Sequence, residues 1–343
     1  MTTAAAMPTH SRPLLLGTVL IAVSLLLLAL GIGVGSTGWS GVVQAMDDPV
    51  ALQIVWEIRL PRTVGAWGAG ALLALAGAVA QGLFRNPLAD PYLLGSASGA
   101  SLGVAVSLAL FGVSPMATHW IVRLGLTTAA FAGAVGAVFL TLLLARGVQH
   151  TLRLLLSGVV VGVVLGACSS LVMLMVPDVM QSMQAFLLGS TGFVGWSSCV
   201  LMLGIWAVCM AMAWWLSPVL DGLALGEATA HSLGLPLAQM RIALVAVLAL
   251  ATGTAVAQTG LIAFVGLAAP HLVRSAVKVT HARLVLLSCL MGGTLLMAAD
   301  LLARWLIAPQ ELPVGVLTAV LGGGYLLWLM HKGSGSSLGG RGT

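Results

Sequence analysis

The amino-acid sequence predicts an all-α polytopic membrane protein with about ten transmembrane helices per subunit. Of its 343 residues, 59% are hydrophobic and only 7% are charged, whereas a soluble domain carries about 25% charged residues. Mean hydropathy is +1.10. A bilayer core of about 30 Å requires roughly 20 apolar residues per helix. The charge-poor runs interpreted as spans are 14–34, 63–83, 93–112, 121–143, 154–175, 185–213, 240–257, 259–273, 284–303 and 313–330.

The first run is predicted to stay as a helix, because at about 21 residues it exceeds the apolar region of a cleaved signal. The next four runs each have the length of one span. The sixth, 185–213, is long and has Gly189, Gly192 and Gly195 near its start, and the eighth, 259–273, is short and glycine-rich. A broken or partly re-entrant helix is therefore expected in each of these two. The other three runs are read as ordinary spans.

The chain is expected to be a single transmembrane domain over 1–343, because its longest polar stretches are too short to enclose a core of their own. Residues 1–13 and the low-complexity tail 333–343 are assigned to the cytoplasm. Spans two to five start outside and spans seven to ten start inside, so a repeat between these blocks would have inverted topology.

The charge distribution supports this orientation. With both termini in the cytoplasm, ten of the 14 Lys and Arg residues lie inside, as the positive-inside rule requires. The same bias explains an isoelectric point near 9.5, so no nucleic acid is needed as a partner.

Metal and catalytic motifs are absent from the sequence. The four cysteines are scattered singly through apolar runs, as small buried hydrophobic residues are. His271, which follows Pro270, is expected at a helix end in a structural role rather than as a metal ligand. A membrane enzyme is disfavoured because no catalytic cluster occurs.

The energy source must lie outside the chain. No G-x-x-x-x-G-K-[ST] phosphate loop occurs, so the chain is not expected to hydrolyse ATP. An ion-coupled carrier usually has carboxylates near the middle of the bilayer, but every acidic residue here falls at a span end or in a loop. Ion coupling therefore remains only a remote alternative.

Two outward-facing arginine motifs run against the charge rule: Arg59-Leu-Pro-Arg62 and Asp300-Leu-Leu-Ala-Arg304. Exposed arginines could receive carboxylates of a soluble partner. Equally, Asp300 and Arg304 could form an internal pair at i,i+4 spacing. Spacing alone leaves both interpretations open, docking of a partner and an internal ion pair.

The segment 221–234 is polar and is predicted to form two short helical turns that meet at Gly226. Gly234 would end the second turn, and Pro236 is a stop signal just beyond it. Its short side chains and Glu227 suit docking into a cleft of another protein. An ordinary surface loop is the alternative.

The chain resembles the FecCD permeases, the membrane subunits of type II ABC importers for ferric siderophores, haem and cobalamin. The resemblance extends over nearly the whole chain in seven ordered motifs. They are RLPR at 59–62, GALLALAGAVAQGLFRNPLADPYLLGSASGASLG at 70–103, LLLSGVVVG at 154–162, LGS at 188–190, LGEATAHSLGL at 225–235, GLIAFVGLAAPHLVR at 260–274, and ADLLAR with ELPVGVLTAVLGG at 299–323.

The resemblance implies a multi-pass protein of the bacterial inner membrane, surrounded by lipid and paired with a second copy of itself. Two separate ATPase subunits would use ATP and Mg²⁺, this chain would bind no cofactor, and a periplasmic binding protein would deliver the substrate. The first expectation for the substrate is an iron(III)-siderophore chelate, with haem or cobalamin as alternatives. No His or Tyr is expected in the passage to ligate haem iron.

The resemblance also implies residue roles. The docking arginines would be Arg59, Arg62 and Arg304. The coupling residues seated in the ATPase would be Gly226, Glu227, Ala228, Ala230, His231, Leu233 and Gly234. A structural turn would contain Asn86, Pro87, Asp90 and Pro91, where prolines end helices and Asn86 or Asp90 caps the next one. Spans five and ten would line the passage, with Gly158, Gly162, Gly166, Ser169 and Ser170 on span five.

Overall fold

The computed structural model describes residues 11–35, 38–39, 49–111, 120–145, 151–232 and 236–337, and these form a bundle of helices. A two-residue antiparallel hairpin, β1 (Val34–Gly35) with β2 (Gly38–Trp39), follows the first helix. A π-helical turn at Val55–Arg59 and a 3₁₀ turn at Pro91–Leu94 supplement the α-helices. The α-helices are α1 (Ser11–Gly33), α2 (Pro49–Ile54), α3 (Leu60–Leu83), α4 (Ser96–Phe111), α5 (Trp120–Leu144), α6 (Thr151–Met175), α7 (Pro177–Leu188), α8 (Trp196–Trp215), α9 (Ser217–Ala224), α10 (Glu227–Ser232), α11 (Leu237–Thr259), α12 (Val265–Ala276), α13 (His281–Trp305) and α14 (Val314–Ser337).

The predicted fold class is confirmed. Among the described residues, seven helical stretches are long and apolar enough to cross a membrane, and α4 and the first part of α14 are shorter apolar helices. With the short helix α12, they match the ten predicted runs one for one. Helix α14 continues to Ser337, which is five residues into the predicted tail. The remainder of that tail, 338–343, lies outside the described residues.

The two predicted breaks are present, and they contact each other. Residues 189–195 separate α7 from α8, and residues 260–264 separate α11 from α12. The backbone N–H of Ser190 donates to the Thr259 carbonyl at 2.8 Å, and the N–H of Leu261 donates to the Phe186 carbonyl at 3.0 Å. Each break therefore donates a hydrogen bond to the helix that precedes the other break, and non-helical backbone inside a membrane protein requires such partners.

Helix α3 is the centre of the bundle and packs most extensively against α13. A Cβ atom added to Gly70 would lie 2.2 Å from the Gly292 carbonyl oxygen, and one added to Gly77 would lie 1.7 Å from that of Gly266. Backbones can approach this closely only where side chains are absent. Helices α13 and α12 therefore contact α3 backbone to backbone.

Candidate functional site

A buried cluster of charged side chains lies where α3 begins and α13 ends. Arg62 donates from Nε and Nη2 to Oδ1 of Asp300, at 3.1 and 3.0 Å. Its Nη1 donates to Oε2 of Glu311 at 2.7 Å. Arg304 is ion-paired with the second oxygen of the same Asp300 carboxylate. Two arginines and two carboxylates therefore balance in charge, and we call Arg62, Asp300, Arg304 and Glu311 the outer cluster.

The outer cluster also connects four parts of the fold. The Thr191 hydroxyl, in the break before α8, donates to Asp300 at 2.5 Å. Arg304 donates to the carbonyl of Gly31 in α1 at 3.3 Å and to the Thr63 hydroxyl in α3 at 3.1 Å. Asp300 is 0% exposed and Arg304 is 1% exposed. Charges this deeply buried require such partners.

Two of the three arginines that were expected to dock a soluble partner face inward in this structure, and their role in docking stays a prediction. Arg62 and Arg304 are buried and paired internally, so a soluble partner cannot reach their charges in this structure. The internal Asp300–Arg304 pair, which was the alternative interpretation, is present. Arg59 is half-buried and donates to the carbonyls of Ile32 and Gly33. Its role in docking stays a prediction.

At the opposite end of the bundle, α9 and α10 form the predicted pair of short helices. They meet at Gly226, whose φ of +113° lies in the region that favours glycine. Leu225 is 71% exposed and Ala228 is also exposed, whereas Ala230 is fully buried. The role of these residues in an ATPase contact stays a prediction. Leu233 and Gly234, together with the His231 side chain, lie outside the described residues.

Two carboxylates fix this segment to the long helices. Glu227 at the start of α10 is ion-paired with the largely buried Arg241 of α11. Asp221 in α9 accepts the backbone N–H of His281 at 3.0 Å and lies 2.7 Å from its ring Nδ1, at the first residue of α13. Glu227 thus anchors the segment instead of presenting a free charge. These contacts join α9 and α10 to α11 and α13.

The turn after α3 has the predicted capping residues. Asn86 Oδ1 accepts the N–H of Leu88 at 2.9 Å, and Asp90 Oδ1 accepts the N–H of Tyr92 at 2.8 Å, which caps the 3₁₀ turn at Pro91. Burial raises the pKa of the Asp90 carboxyl to about 6, partly opposed by the hydrogen bond from Tyr92. Helix α3 ends at Leu83, before the predicted stop at Pro87, and Arg85 then adopts φ of +49°.

The predicted passage residues lie on α6, and two of them, Gly158 and Gly162, line an open cavity of about 400 Å³. Gly158 allows close packing, since a Cβ there would lie 2.1 Å from the Leu93 carbonyl oxygen. Ser169 is buried, whereas Ser170 is exposed and donates to the carbonyl of Gly166 at 3.1 Å. Their role in a passage stays a prediction. The residues lining the cavity are Asp90, Tyr92, Leu93, Gly95, Ala97, Ser98, Gly158, Val159, Gly162 and Val163.

The structure also brings together three aromatic side chains that the sequence did not connect. The ring centroids of His271 in α12 and Tyr325 in α14 are 5.9 Å apart at an interplanar angle of 70°. Tyr325 and Trp328 stack at 6.1 Å and 27°. We call these residues the aromatic trio.

Comparisons with known proteins agree with this architecture. The chain matches the FecCD transport family over residues 19–332. It is 36% identical to the hemin transport system permease protein HmuU of Yersinia pestis over 93% of this chain and 96% of that protein. It is 39% identical to the vitamin B12 import system permease protein BtuC of Escherichia coli O157:H7 over 81% and 83%, respectively.

A solved structure gives the same result at the level of the fold. It is described as an inward-facing conformation of a metal-chelate type ABC transporter. The TM-score is 0.83 at 30% identity, over 93% of this chain and 99% of that one. The chain therefore has the fold of a type II ABC importer permease and belongs to the FecCD transport family.

Proposed function

We propose that this chain is the membrane subunit of an ATP-driven importer that carries a metal chelate across the bacterial inner membrane into the cytoplasm. A second copy of the chain, two ATPase subunits that use ATP and Mg²⁺, and a periplasmic binding protein would complete it. The observation that carries this proposal is the α9–α10 segment. The segment is exposed at Leu225, and Glu227 and Asp221 bind it to two long helices. This arrangement suits a segment that another protein moves and that passes the motion to those helices.

The buried charges argue against ion coupling. A carrier driven by protons or sodium ions needs a carboxylate that can release its charge partner during the cycle. Asp300 is instead held by two arginines and a threonine hydroxyl. The part of the chain that the structure describes also has no group of three or more His, Cys, Asp or Glu able to hold a metal ion. These features favour a passage for an intact chelate.

Docking of the binding protein is proposed at the outer end, near Arg59. Among the three arginines first considered, Arg59 is the one outside the outer cluster, and its neighbour Glu57 is exposed. Rim charges of this kind act mainly on association rate and salt dependence. The ATPase contact is proposed at the exposed residues Leu225 and Ala228.

The names of two relatives favour a tetrapyrrole as the chelate, since they specify hemin and vitamin B12. A ferric siderophore, which was the first expectation from sequence, receives no support from these names. It stays the alternative that a transport measurement must include.

The deciding experiment is uptake into proteoliposomes that contain this chain with its ATPase and binding protein. Hemin, cobalamin and a ferric siderophore would be supplied separately, and ADP in place of ATP would be the matched control. We expect one chelate to accumulate only when both ATP and the binding protein are present. Accumulation that needs neither would contradict an ABC importer.

A further inference from the structure

Three exposed basic side chains at one end of the bundle take no part in the outer cluster or in the α9–α10 segment. They are Arg12 at the start of α1, Lys278 in the turn between α12 and α13, and Arg283 in the first turn of α13. We propose that they bind the headgroup of an anionic phospholipid whose acyl chains lie along α1 and α13. This inference goes beyond the proposed function and does not depend on which chelate is transported.

Helices α1 and α13 lie side by side and run in the same direction. The hydroxyl oxygens of Ser24 and Thr294 are 2.8 Å apart, and these residues are separated by 270 positions in the chain. A Cβ on Gly17 would lie 3.5 Å from Cδ2 of Leu287, which is the same separation along the chain. A constant separation means that the two helices are parallel. Their first turns therefore lie at the same level of the bundle.

Arg12 and Arg283 lie on the sides of these helices that face each other. Arg12 precedes Leu16 by one helical turn, and Arg283 precedes Leu287 by one turn, so each pair shares a helix face. Leu16 and Leu287 both pack in one small apolar cluster between the helices. Both arginines are exposed. They therefore lie at the end of the groove between α1 and α13, one on each side.

Lys278 joins the two arginines at the edge of the same apolar cluster. Its neighbours Val277 and Val279 both pack in that cluster, whereas Lys278 is exposed. The backbone at Val277 is extended, with φ of −143° and ψ of 143°, and successive side chains of an extended chain point to opposite sides. Three cations therefore lie around one end of a single apolar cluster.

The three cations have no acidic partner within the part of the chain that the structure describes. None of the ion pairs between described residues includes them. Asp221 binds His281, which projects from α13 about 200° away from Arg283 at 100° per residue. Residues 1–10 contain neither Asp nor Glu. The positive-inside rule accounts for basic residues at this end, but a group of three without a carboxylate also attracts an external anion.

The surface beside the cations is apolar, which suits a lipid better than a soluble anion. Leu15, three residues after Arg12, is 48% exposed, and Leu286, three residues after Arg283, is 37% exposed. Residues three apart are neighbours on a helix surface. A phospholipid has the same order of groups, with its phosphate at the interface and its acyl chains in the hydrocarbon core. Inorganic phosphate would use only the charged part of this surface.

A second copy of the chain is a less suitable occupant of this surface. In a symmetric dimer the same patch occurs on both copies, so cations near the two-fold axis would face cations. Two carboxylates on the α9–α10 segment, Asp221 and Glu227, are already bound to His281 and Arg241. Basic pockets between membrane helices instead attract anionic lipids, and each Lys or Arg contributes roughly fivefold in affinity.

The test is a titration of the purified full chain in detergent with cardiolipin, a lipid with two phosphates, followed by native mass spectrometry to count bound lipids. Phosphatidylethanolamine, which has no net charge, and inorganic phosphate are tested in separate arms. We expect saturable binding of cardiolipin alone, without displacement by phosphate. Arg12→Gln combined with Arg283→Gln should weaken cardiolipin binding about 25-fold, since each cation contributes roughly fivefold.

Arg85→Gln combined with Arg153→Gln is the matched control, because both arginines are exposed and the pair removes the same net charge. It should leave the affinity for cardiolipin unchanged. Arg12→Lys combined with Arg283→Lys retains both charges and should retain binding, which separates loss of the site from misfolding. The inference is overturned if the control pair weakens binding equally, if phosphatidylethanolamine binds as tightly, or if phosphate displaces cardiolipin. Absence of saturable cardiolipin binding would also overturn it and leave this surface to a second copy.

Discussion

Asp300 is the residue whose environment differs most from what the sequence suggested. Its i,i+4 spacing to Arg304 predicted one ion pair, and that pair is present. The second partner, Arg62, is 238 positions away, and no local pattern connects them. The family resemblance pointed Arg62 and Arg304 outward, whereas the fold turns both inward because Asp300 is fully buried and requires compensating charge.

We expect Asp300→Asn to lower the free energy of unfolding by about 3–5 kcal/mol, since removing one member of a buried ion pair leaves its partners uncompensated. The main cost would come from Arg304, because it is 1% exposed and its charge would lose its carboxylate partner. Thermal unfolding in detergent would measure the loss. Glu311→Gln is the control: its side chain is 32% exposed, so it should cost no more than about 1 kcal/mol. Equal losses would mean that burial of the pair is unimportant.

At the scale of the secondary-structure elements, each of the ten apolar runs corresponds to a helix, seven of them in stretches long enough to span a membrane, and glycine content was sufficient to predict both breaks. The sequence also placed the junction of α9 and α10 at Gly226. It did not reveal which side of α10 is buried, because a helix of six residues is too short for a hydrophobic period to define a face. Ala230, which the resemblance assigned to the partner contact, is buried against the bundle in this structure.

The exposed side of the α9–α10 segment leads to a second prediction. Leu225→Asp should abolish copurification of the ATPase, because it places a charge where an apolar side chain is 71% exposed and available for a hydrophobic contact. Affinity purification followed by densitometry would measure this. Thr280→Asp adds the same charge at the same end of the bundle, at the exposed residue before α13, and should retain the ATPase. Retention by both variants would exclude this segment as the contact.

For the whole molecule, α13 joins the two charged sites. It begins at His281, which is bonded to Asp221, and near its end it contributes Asp300 and Arg304 to the outer cluster. Its 25 residues correspond to about 37 Å at 1.5 Å per residue. The contact at its start was not predicted from sequence, since Asp221 and His281 lie 60 positions apart in segments of different polarity.

Loss of the contact between Asp221 and His281 should uncouple ATP hydrolysis from transport. We expect Asp221→Asn to preserve the ATPase rate in proteoliposomes and to lower uptake per ATP about fivefold, the lower end of typical coupling energies between sites. Parallel phosphate-release and uptake assays give that ratio. Asp178→Asn, at an exposed carboxylate at the start of α7, should leave the ratio unchanged. A proportional fall in both rates for Asp221→Asn would show a loss of protein rather than of coupling.

The glycine contacts of α3 determine which helices can slide. Shear between packed helices proceeds through small adjustments of interlocking side chains, but Gly70 on Gly292 and Gly77 on Gly266 leave backbone against backbone, with no rotamers to adjust. We therefore expect helices α3, α12 and α13 to keep one mutual arrangement during transport. Opening and closing of the passage must occur at the borders of this three-helix block, where side chains form the contacts.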